Sequence, residues 1–218
     1  MAPDIGSPRH PLVTIQAKRL WDKGWGAAIG IAEFQQYIAT IPEIPADLIP
    51  EHVDFPDLVL EDLRPFAIPS RPFDLVKACR ILGVLYEGDD RSFEDPDPSR
   101  ALRDPVRWVR MHDGRRNRNR KAVDCRATFD AHGVGASVCD GLFLYAQRPS
   151  VLYEPELHFI DLPNAIRVGQ CGLCAYLRRW PDGVVGLCWG WGGAVPHCGA
   201  ASPVAPYAVA MRREALFG

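Results

Sequence analysis

The sequence predicts an α+β protein, in which a small mixed or antiparallel sheet is covered by three to four helices. The chain has 218 residues, 47% of them hydrophobic, which suits one globular domain with a proper core. Its 20 prolines predict short elements and irregular connections rather than a long helical bundle. Segments with the two-residue period of strands and segments with helical spacing both occur along the chain, which favours a mixed fold.

The order of these segments predicts the domain organisation. Residues 1–13 are polar and broken by proline, and they read as a flexible tail. Residues 14–218 form a single α+β domain, in which the N-terminal helical part, 14–50, packs on the sheet part. Helices are expected near 15–23, 32–41, 73–85 and 138–148, and strands near 58–63, 106–112, 157–161, 173–180 and 184–191.

Two of these elements have clear end signals. Thr14 is a plausible N-cap for the first helix. The helix that follows Ser137 has a capping box, because Ser137 can accept a bond from the helix start and Asp140, three residues on, can return it. Pro149 marks its end. Cys139, in the first turn of that helix, is interpreted as a structural thiol.

A hairpin is predicted around residues 181–183. Pro181 presets φ, Asp182 favours an Asx turn and Gly183 supplies a positive φ. If the turn is centred on Asp182, Cys188 faces Tyr176 and Cys174 lies diagonally on the same face.

Charge and cysteine content limit the classes of partner. The net charge is −2, so nothing draws the whole chain to nucleic acid or to an anionic membrane. The basic run at 114–121 has no interleaved aromatic residues for base stacking, so it is interpreted as a solvated turn. No segment reads as a signal peptide or a membrane span, and the seven cysteines are an odd number. A cytoplasmic protein with reduced thiols is expected.

A structural zinc site is one interpretation of the cysteine-rich segment 171–198. Its ligands would be Cys171, Cys174, Cys188 and either His197 or Cys198. Three features weaken this interpretation. Cys188 has no second cysteine at CxxC spacing, and the spacing from Cys188 to His197 is longer than in an ordinary zinc knuckle. If one strand includes both Cys171 and Cys174, their side chains point to opposite faces. Zinc is therefore an alternative, and no other cofactor is expected.

A ligand-binding segment is the second interpretation of the same region. Trp189 and Trp191 share one strand parity, and the neighbouring glycines allow close approach of a ligand or a backbone. His197 and Ser202 add polar groups, so these four residues could line a small-molecule pocket. The competing interpretation is an aromatic core under a glycine-rich turn. The preferred function is a non-enzymatic domain that binds a small ligand or a protein through this segment.

A thiol hydrolase is the third interpretation. Cys188 would be its nucleophile and His197 its base, which requires the two side chains within hydrogen-bond reach beside a pocket. A redox dithiol is weaker, because the CxxC does not open a helix.

The C-terminal half resembles a known bacterial family. Gly186-Leu187-Cys188-Trp189, Pro196-His197 and Gly199-Ala200-Ala201-Ser202 are similar to the C-terminal signature of the bacterial domain-of-unknown-function family 5701. The helix after Ser137 also resembles that family's capped helix, and the likeness covers about residues 105–203. The family's Asn before Pro-His is absent here, and Pro203 stands where members often have cysteine. The resemblance implies a small cytoplasmic bacterial protein and transfers no activity.

Overall fold

The protein is an α+β fold with two separate sheets, as seen in a computed structural model. The model describes residues 9–49, 57–66, 74–86, 93–94, 105–125, 136–152, 158–167, 170–190 and 198–204. The predicted fold class is confirmed, although the strands form two sheets rather than one. Among the described residues no helix is long and apolar enough to span a membrane.

The elements alternate irregularly along the chain. The helices are α1 (Pro11–Asp22), α2 (Trp25–Ala28), α3 (Phe34–Ala39), α4 (Leu75–Leu82) and α5 (Val138–Gln147). The strands are β1 (Asp57–Asp62), β2 (Val84–Leu85), β3 (Phe93–Glu94), β4 (Val106–His112), β5 (Phe159–Arg167), β6 (Gln170–Arg179), β7 (Val185–Gly190), β8 (Cys198–Ala200) and β9 (Ser202–Val204). Short 3-10 turns lie at Ala46–Leu48, Arg64–Phe66, Arg115–Asn117 and Pro149–Leu152.

The smaller sheet has the order β1-β4-β9 and is antiparallel. The larger sheet has six strands and is mixed. Its main order is β2-β7-β6-β5-β3, and β8 also pairs with β5. The β2–β7 and β5–β8 pairs are parallel, while the remaining pairs of the larger sheet are antiparallel.

Helix α5 is the centre of the core. Nine of its ten residues are buried, and it packs against α1, α4, β1 of the small sheet and β5 and β6 of the large one. Its start is the predicted capping box: the Ser137 hydroxyl accepts a bond from the backbone N–H of Asp140, and the Asp140 carboxylate accepts one from the backbone N–H of Ser137. A helix this apolar on nearly all sides must be covered on all sides, which both sheets and the N-terminal helices do together.

The N-terminal helices share this core. Gln16 of α1 donates a side-chain hydrogen bond to the carbonyl of Leu58 and accepts one from the N–H of Leu60, both in β1. Trp25 is fully buried, and its indole N–H donates to the carbonyl of Asp62 at 3.0 Å. The hydrophobic cluster therefore runs from α1 through α5 to the inner face of the large sheet.

The hairpin formed by β6 and β7 has the predicted turn and register. Gly183 has φ +89°, and Asp182 Oδ1 accepts a hydrogen bond from the N–H of Val184 at 3.0 Å. Tyr176 pairs with Cys188, and Cys174 pairs with Gly190. Cys174 and Cys188 thus lie diagonally on one face, as the sequence predicts.

Several predicted boundaries are wrong for local reasons. Helix α1 begins at Pro11 rather than after Thr14, because proline suits the first helical position and the His10 ring accepts a bond from the N–H of Leu12. Helix α4 ends at Leu82 rather than 85, because Gly83 adopts a left-handed cap with φ +68°. Residues 1–8 of the predicted tail lie outside the described part.

Candidate functional site

The six-stranded sheet has one face that the main core does not include. The inner face carries Ile160, Leu162, Ala175, Leu177, Val185 and Leu187, all members of the hydrophobic cluster around α5. Side chains alternate between the two faces of a strand, so the intervening residues form the opposite side. We call it the outer face and define it by Phe159, Asp161, Cys174, Tyr176, Arg178, Cys188, Cys198 and Ala200. None of these residues belongs to the main cluster.

Asp161 is a buried carboxyl at the centre of the outer face. Its residue exposure is 2%, and its Oδ2 atom has no hydrogen-bond partner among the described residues. Burial raises the pKa of this carboxyl to about 7. An uncompensated buried carboxyl costs folding free energy, and local violations of this kind are typical of functional sites.

Thiols and a phenol surround this carboxyl. Tyr176 of β6 lies directly opposite Asp161, while Cys198 of β8 pairs with Phe159, two residues before Asp161. Cys125 is fully buried in the helical turn 122–125, and its thiol is close enough for the Asp161 charge to raise its pKa, in addition to the larger effect of burial. Cys188 pairs with Tyr176 from the other side, in β7, and adds to the effect of burial that raises the pKa of the Tyr176 hydroxyl.

Aromatic rings form a second part of the outer face. The rings of Phe159 and Tyr176 stack, with centroids 6.0 Å apart and an interplanar angle of 20°. A Cβ atom at Gly190 would lie 2.8 Å from Cε1 of Tyr176, so glycine at this position makes room for the tyrosine ring. Phe159, Tyr176, Cys188 and Cys198 are all half-buried. The outer face is therefore partly open around a buried carboxyl.

Cys198 is expected to react slowly with iodoacetamide in the folded protein. Burial, followed by the Asp161 charge, raises the pKa of this thiol to about 12. The thiolate is the reacting form, so about three units above the ordinary value lower its population at neutral pH by about a thousandfold. Alkylation at pH 7.5, measured for each cysteine by mass spectrometry, should be at least about a hundredfold slower at Cys198 than in the urea-unfolded chain.

The urea-unfolded chain is the matched control, since it contains the same thiol without the fold. Equal rates in the two states would contradict the raised pKa. A single fast thiol elsewhere in the folded chain would instead favour the hydrolase interpretation.

Two of the four predicted ligand-binding residues, Trp189 and Ser202, lie on strands that the structure describes. Trp189 lies on the inner face and packs, half-buried, against the main core. Ser202 begins β9 in the small sheet, opposite His112, whereas Trp189 lies in the large sheet. Trp191 and His197 lie outside the described residues, as does the side chain of Ser202.

Three of the candidate zinc ligands, Cys174, Cys188 and Cys198, lie among the described residues. Cys174 and Cys188 share the outer face, but Cys198 lies beyond β6 and β5, about three strand spacings or ~14 Å from Cys188. Ligands of one zinc must each lie ~2.3 Å from it, so Cys188 and Cys198 do not fit the same site. The side chain of Cys171 and all of His197 lie outside the described part. Within the described part, no three His, Cys, Asp or Glu residues are grouped to hold a metal.

His158 lies on the other side of β5 from Asp161, so the two do not form an acid–base pair. Its Nε2–H donates to the carbonyl of Asp113 at 2.7 Å, and its buried Nδ1 has no partner among the described residues. Burial lowers the pKa of this imidazole, which keeps the ring neutral. The Asp113 loop docks here because Gly114 and Gly199 touch backbone to backbone, where an added Cβ would lie about 2 Å from a carbonyl oxygen.

A second group of buried charges joins β1, β4 and α5. Arg107 Nη2 lies 2.6 Å from Oε2 of Glu61, its cross-strand partner, and 4.0 Å from Oδ1 of Asp140. Both carboxylates are fully buried. Because the guanidinium lies between them at the junction of the small sheet and α5, this group is interpreted as a structural tie.

Asp161 was missed because its sequence signal is weak. The segment Phe159-Ile160-Asp161-Leu162 reads as a short alternating strand, in which the polar position is expected to face solvent. The described groups beside it lie on β8 and on the turn at 122–125, which are distant in sequence. A single charged residue inside an apolar strand was the available hint.

Comparisons with known proteins identify no relative: no family model, curated protein or solved structure matches the chain. The resemblance of residues 105–203 to family 5701 therefore stays a prediction.

Proposed function

We propose that this protein is a non-enzymatic domain that binds a small ligand on the outer face of its six-stranded sheet. The supporting observation is the half-buried Phe159–Tyr176 stack beside the buried Asp161 carboxyl, on a face that the main core does not include. Binding sites combine apolar and aromatic walls with a few placed polar groups, which is the composition of this face. The proposal keeps the binding function predicted from the sequence and moves its centre from Trp189 to the opposite side of the same sheet.

The electrostatics favour binding over thiol catalysis. A nucleophilic cysteine needs a depressed pKa or an adjacent base, whereas burial raises the pKa of both Cys125 and Cys198. His158 is held by Asp113 on the other side of β5. The Cys188–His197 pair and the zinc module stay as alternatives, because both depend on His197 or on the side chain of Cys171.

A fragment screen tests this function. A library of small aromatic fragments is screened by thermal shift, and each hit is titrated against the wild type and Phe159→Ala. We expect hits whose affinity falls about tenfold in Phe159→Ala, because the variant removes one wall of the stack. Hits should also slow alkylation of half-buried Cys188 without changing that of Cys79, which is buried in α4.

Phe34→Ala is the matched control. Phe34 is also half-buried and packs edge-on against Trp21, but it lies in α3 and is not part of the six-stranded sheet. Its removal should leave ligand affinity unchanged. A library without hits, or hits equally sensitive to both variants, would exclude a binding site on the outer face.

A further inference from the structure

We propose that the ligand of the outer face is a small organic cation, an ammonium group attached to a flat apolar body, with the Asp161 carboxylate as its counter-ion. This inference rests on the proposed function and specifies the chemical class of the ligand. The observation behind it is a buried polar atom: Asp161 is 2% exposed, and its Oδ2 has no hydrogen-bond partner among the described residues.

Among the described residues, no lysine, arginine or histidine side chain forms an ion pair with this carboxyl. Arg178 is on the same face, but its guanidinium lies over the ring of Trp180, 4.0 Å from the centroid. Of the described residues, Tyr176 of β6 lies opposite Asp161, and the thiols of Cys198 in β8 and Cys125 in the turn at 122–125 are close enough for its charge to raise their pKa. The Arg120 charge lowers the pKa of the same Cys125 thiol but has no resolved effect on Asp161. Burial raises the pKa of Asp161.

The aromatic rings beside the carboxyl favour an ammonium group over a ligand group without positive charge. The faces of aromatic rings attract cations, and desolvated cation–π contacts are among the stronger ones. Phe159 and Tyr176 flank Asp161, one two residues before it on β5 and one directly opposite on β6. A carboxylate beside these two rings would pair with the charge of an ammonium, while the rings would pack against the apolar body of the ligand. A ligand anion would meet a like charge here and is disfavoured.

A divalent metal is a poorer fit for the same carboxyl. Such ions need several oxygen, nitrogen or sulfur ligands at once, and no three suitable side chains are grouped within the described residues. An ammonium needs a single carboxylate and apolar surroundings, which this face provides.

Three probes of similar shape and different charge test the proposal. Phenethylamine, 2-phenylethanol and 3-phenylpropionate are titrated calorimetrically at pH 8 into the wild type, Asp161→Asn and the surface control Asp22→Asn. Asp22 is a good control because it is an exposed carboxylate that pairs with Lys18 on α1. We expect the amine to bind the wild type and Asp22→Asn at least about tenfold more tightly than the alcohol, with no binding of the acid. In Asp161→Asn the affinity for the amine should fall to that for the alcohol.

The outcomes separate this inference from the proposed function. Equal affinity for amine and alcohol, or an amine affinity that Asp161→Asn leaves unchanged, would overturn the ammonium assignment. If both probes then still weaken in Phe159→Ala, the outer face remains the binding site. No binding of the amine also overturns the assignment, while the fragment screen decides the proposed function separately. If Asp161→Asn does not fold, the relative affinities of the three probes for the wild type decide whether the ammonium assignment holds.

Discussion

Replacing Trp25 with alanine is expected to lower the free energy of unfolding by about 3–5 kcal/mol, the range for large aromatic truncations in cores. Trp25 is fully buried and meets Phe66 and Phe143 edge-on, with centroids 5.2 and 5.9 Å away. Its indole N–H also bonds the Asp62 carbonyl at the end of β1. One side chain thus joins the N-terminal helices, the small sheet and α5, so its loss opens a cavity and leaves a buried carbonyl without that donor.

Urea denaturation followed by circular dichroism measures this effect. Ile15→Ala is the control, because Ile15 lies on α1 and is 48% exposed, and it should change the free energy by less than about 1 kcal/mol. If Trp25→Ala costs no more than the control, the N-terminal helices do not contribute to a shared core. Two separate transitions in the wild type would lead to the same conclusion.

Local signals were sufficient to predict the parts of the fold that depend on neighbours in sequence. The turn at Pro181–Gly183 set the register of β6 and β7, down to the Tyr176–Cys188 pair. Ser137 and Asp140 located the start of α5. In both cases the determining hydrogen bonds join residues within a few positions of each other, so a sequence pattern contains the necessary information.

The pairing of distant strands could not be predicted in the same way. Strands β8 and β9 have three residues each and are separated only by Ala201, yet one pairs with β5 and the other with β4. Such short segments have no periodicity to indicate a partner. The extension of β5 to Arg167 also escaped prediction, because its register with β6 shifts by several residues after Leu162, where Pro163 interrupts the ladder.

The candidate site depended on this unpredicted pairing. Cys188 and Tyr176 could be placed together from the hairpin, but Asp161 and Cys198 joined them only through the β5–β6 and β5–β8 pairs. The alternation of side chains along β7 places Trp189 on one face of the strand. It does not indicate which of the two faces packs against the core. The structure puts Trp189 on the covered side, so the aromatic residue most prominent in the sequence lies away from the carboxyl.

Asp161→Asn is expected to change how stability depends on pH. The pKa of Asp161 is raised from 3.8 to about 7 in the folded state, so between these values the native protein binds a proton that the unfolded chain has lost. The free energy of unfolding of the wild type therefore falls as the pH rises from about 4 to about 7. Above pH 7 the full cost of burying the ionised carboxylate is present. About three pKa units correspond to roughly 4 kcal/mol.

Asparagine removes this titration while nearly preserving the shape of the side chain. A buried amide without a partner has a cost of its own, about 1–3 kcal/mol, but that cost does not vary with pH. The stability of Asp161→Asn relative to the wild type should therefore increase by about 3–4 kcal/mol between pH 4.5 and pH 8. The expected result at pH 8 is a variant at least as stable as the wild type, although a buried charged residue has been replaced.

The comparison with the wild type isolates Asp161 from other titrating groups. His158, whose pKa is lowered, changes stability in the opposite direction at acidic pH, and the thiols of Cys125 and Cys198 titrate at alkaline pH. These effects occur in both proteins and largely cancel in the difference. This difference in the free energy of unfolding is measured from urea denaturation curves at half-unit pH intervals for the wild type, Asp161→Asn and Asp22→Asn. Parallel profiles for the wild type and Asp161→Asn would mean that the carboxyl is compensated in the folded protein, and an ammonium ligand would then have no unpaired charge to neutralise.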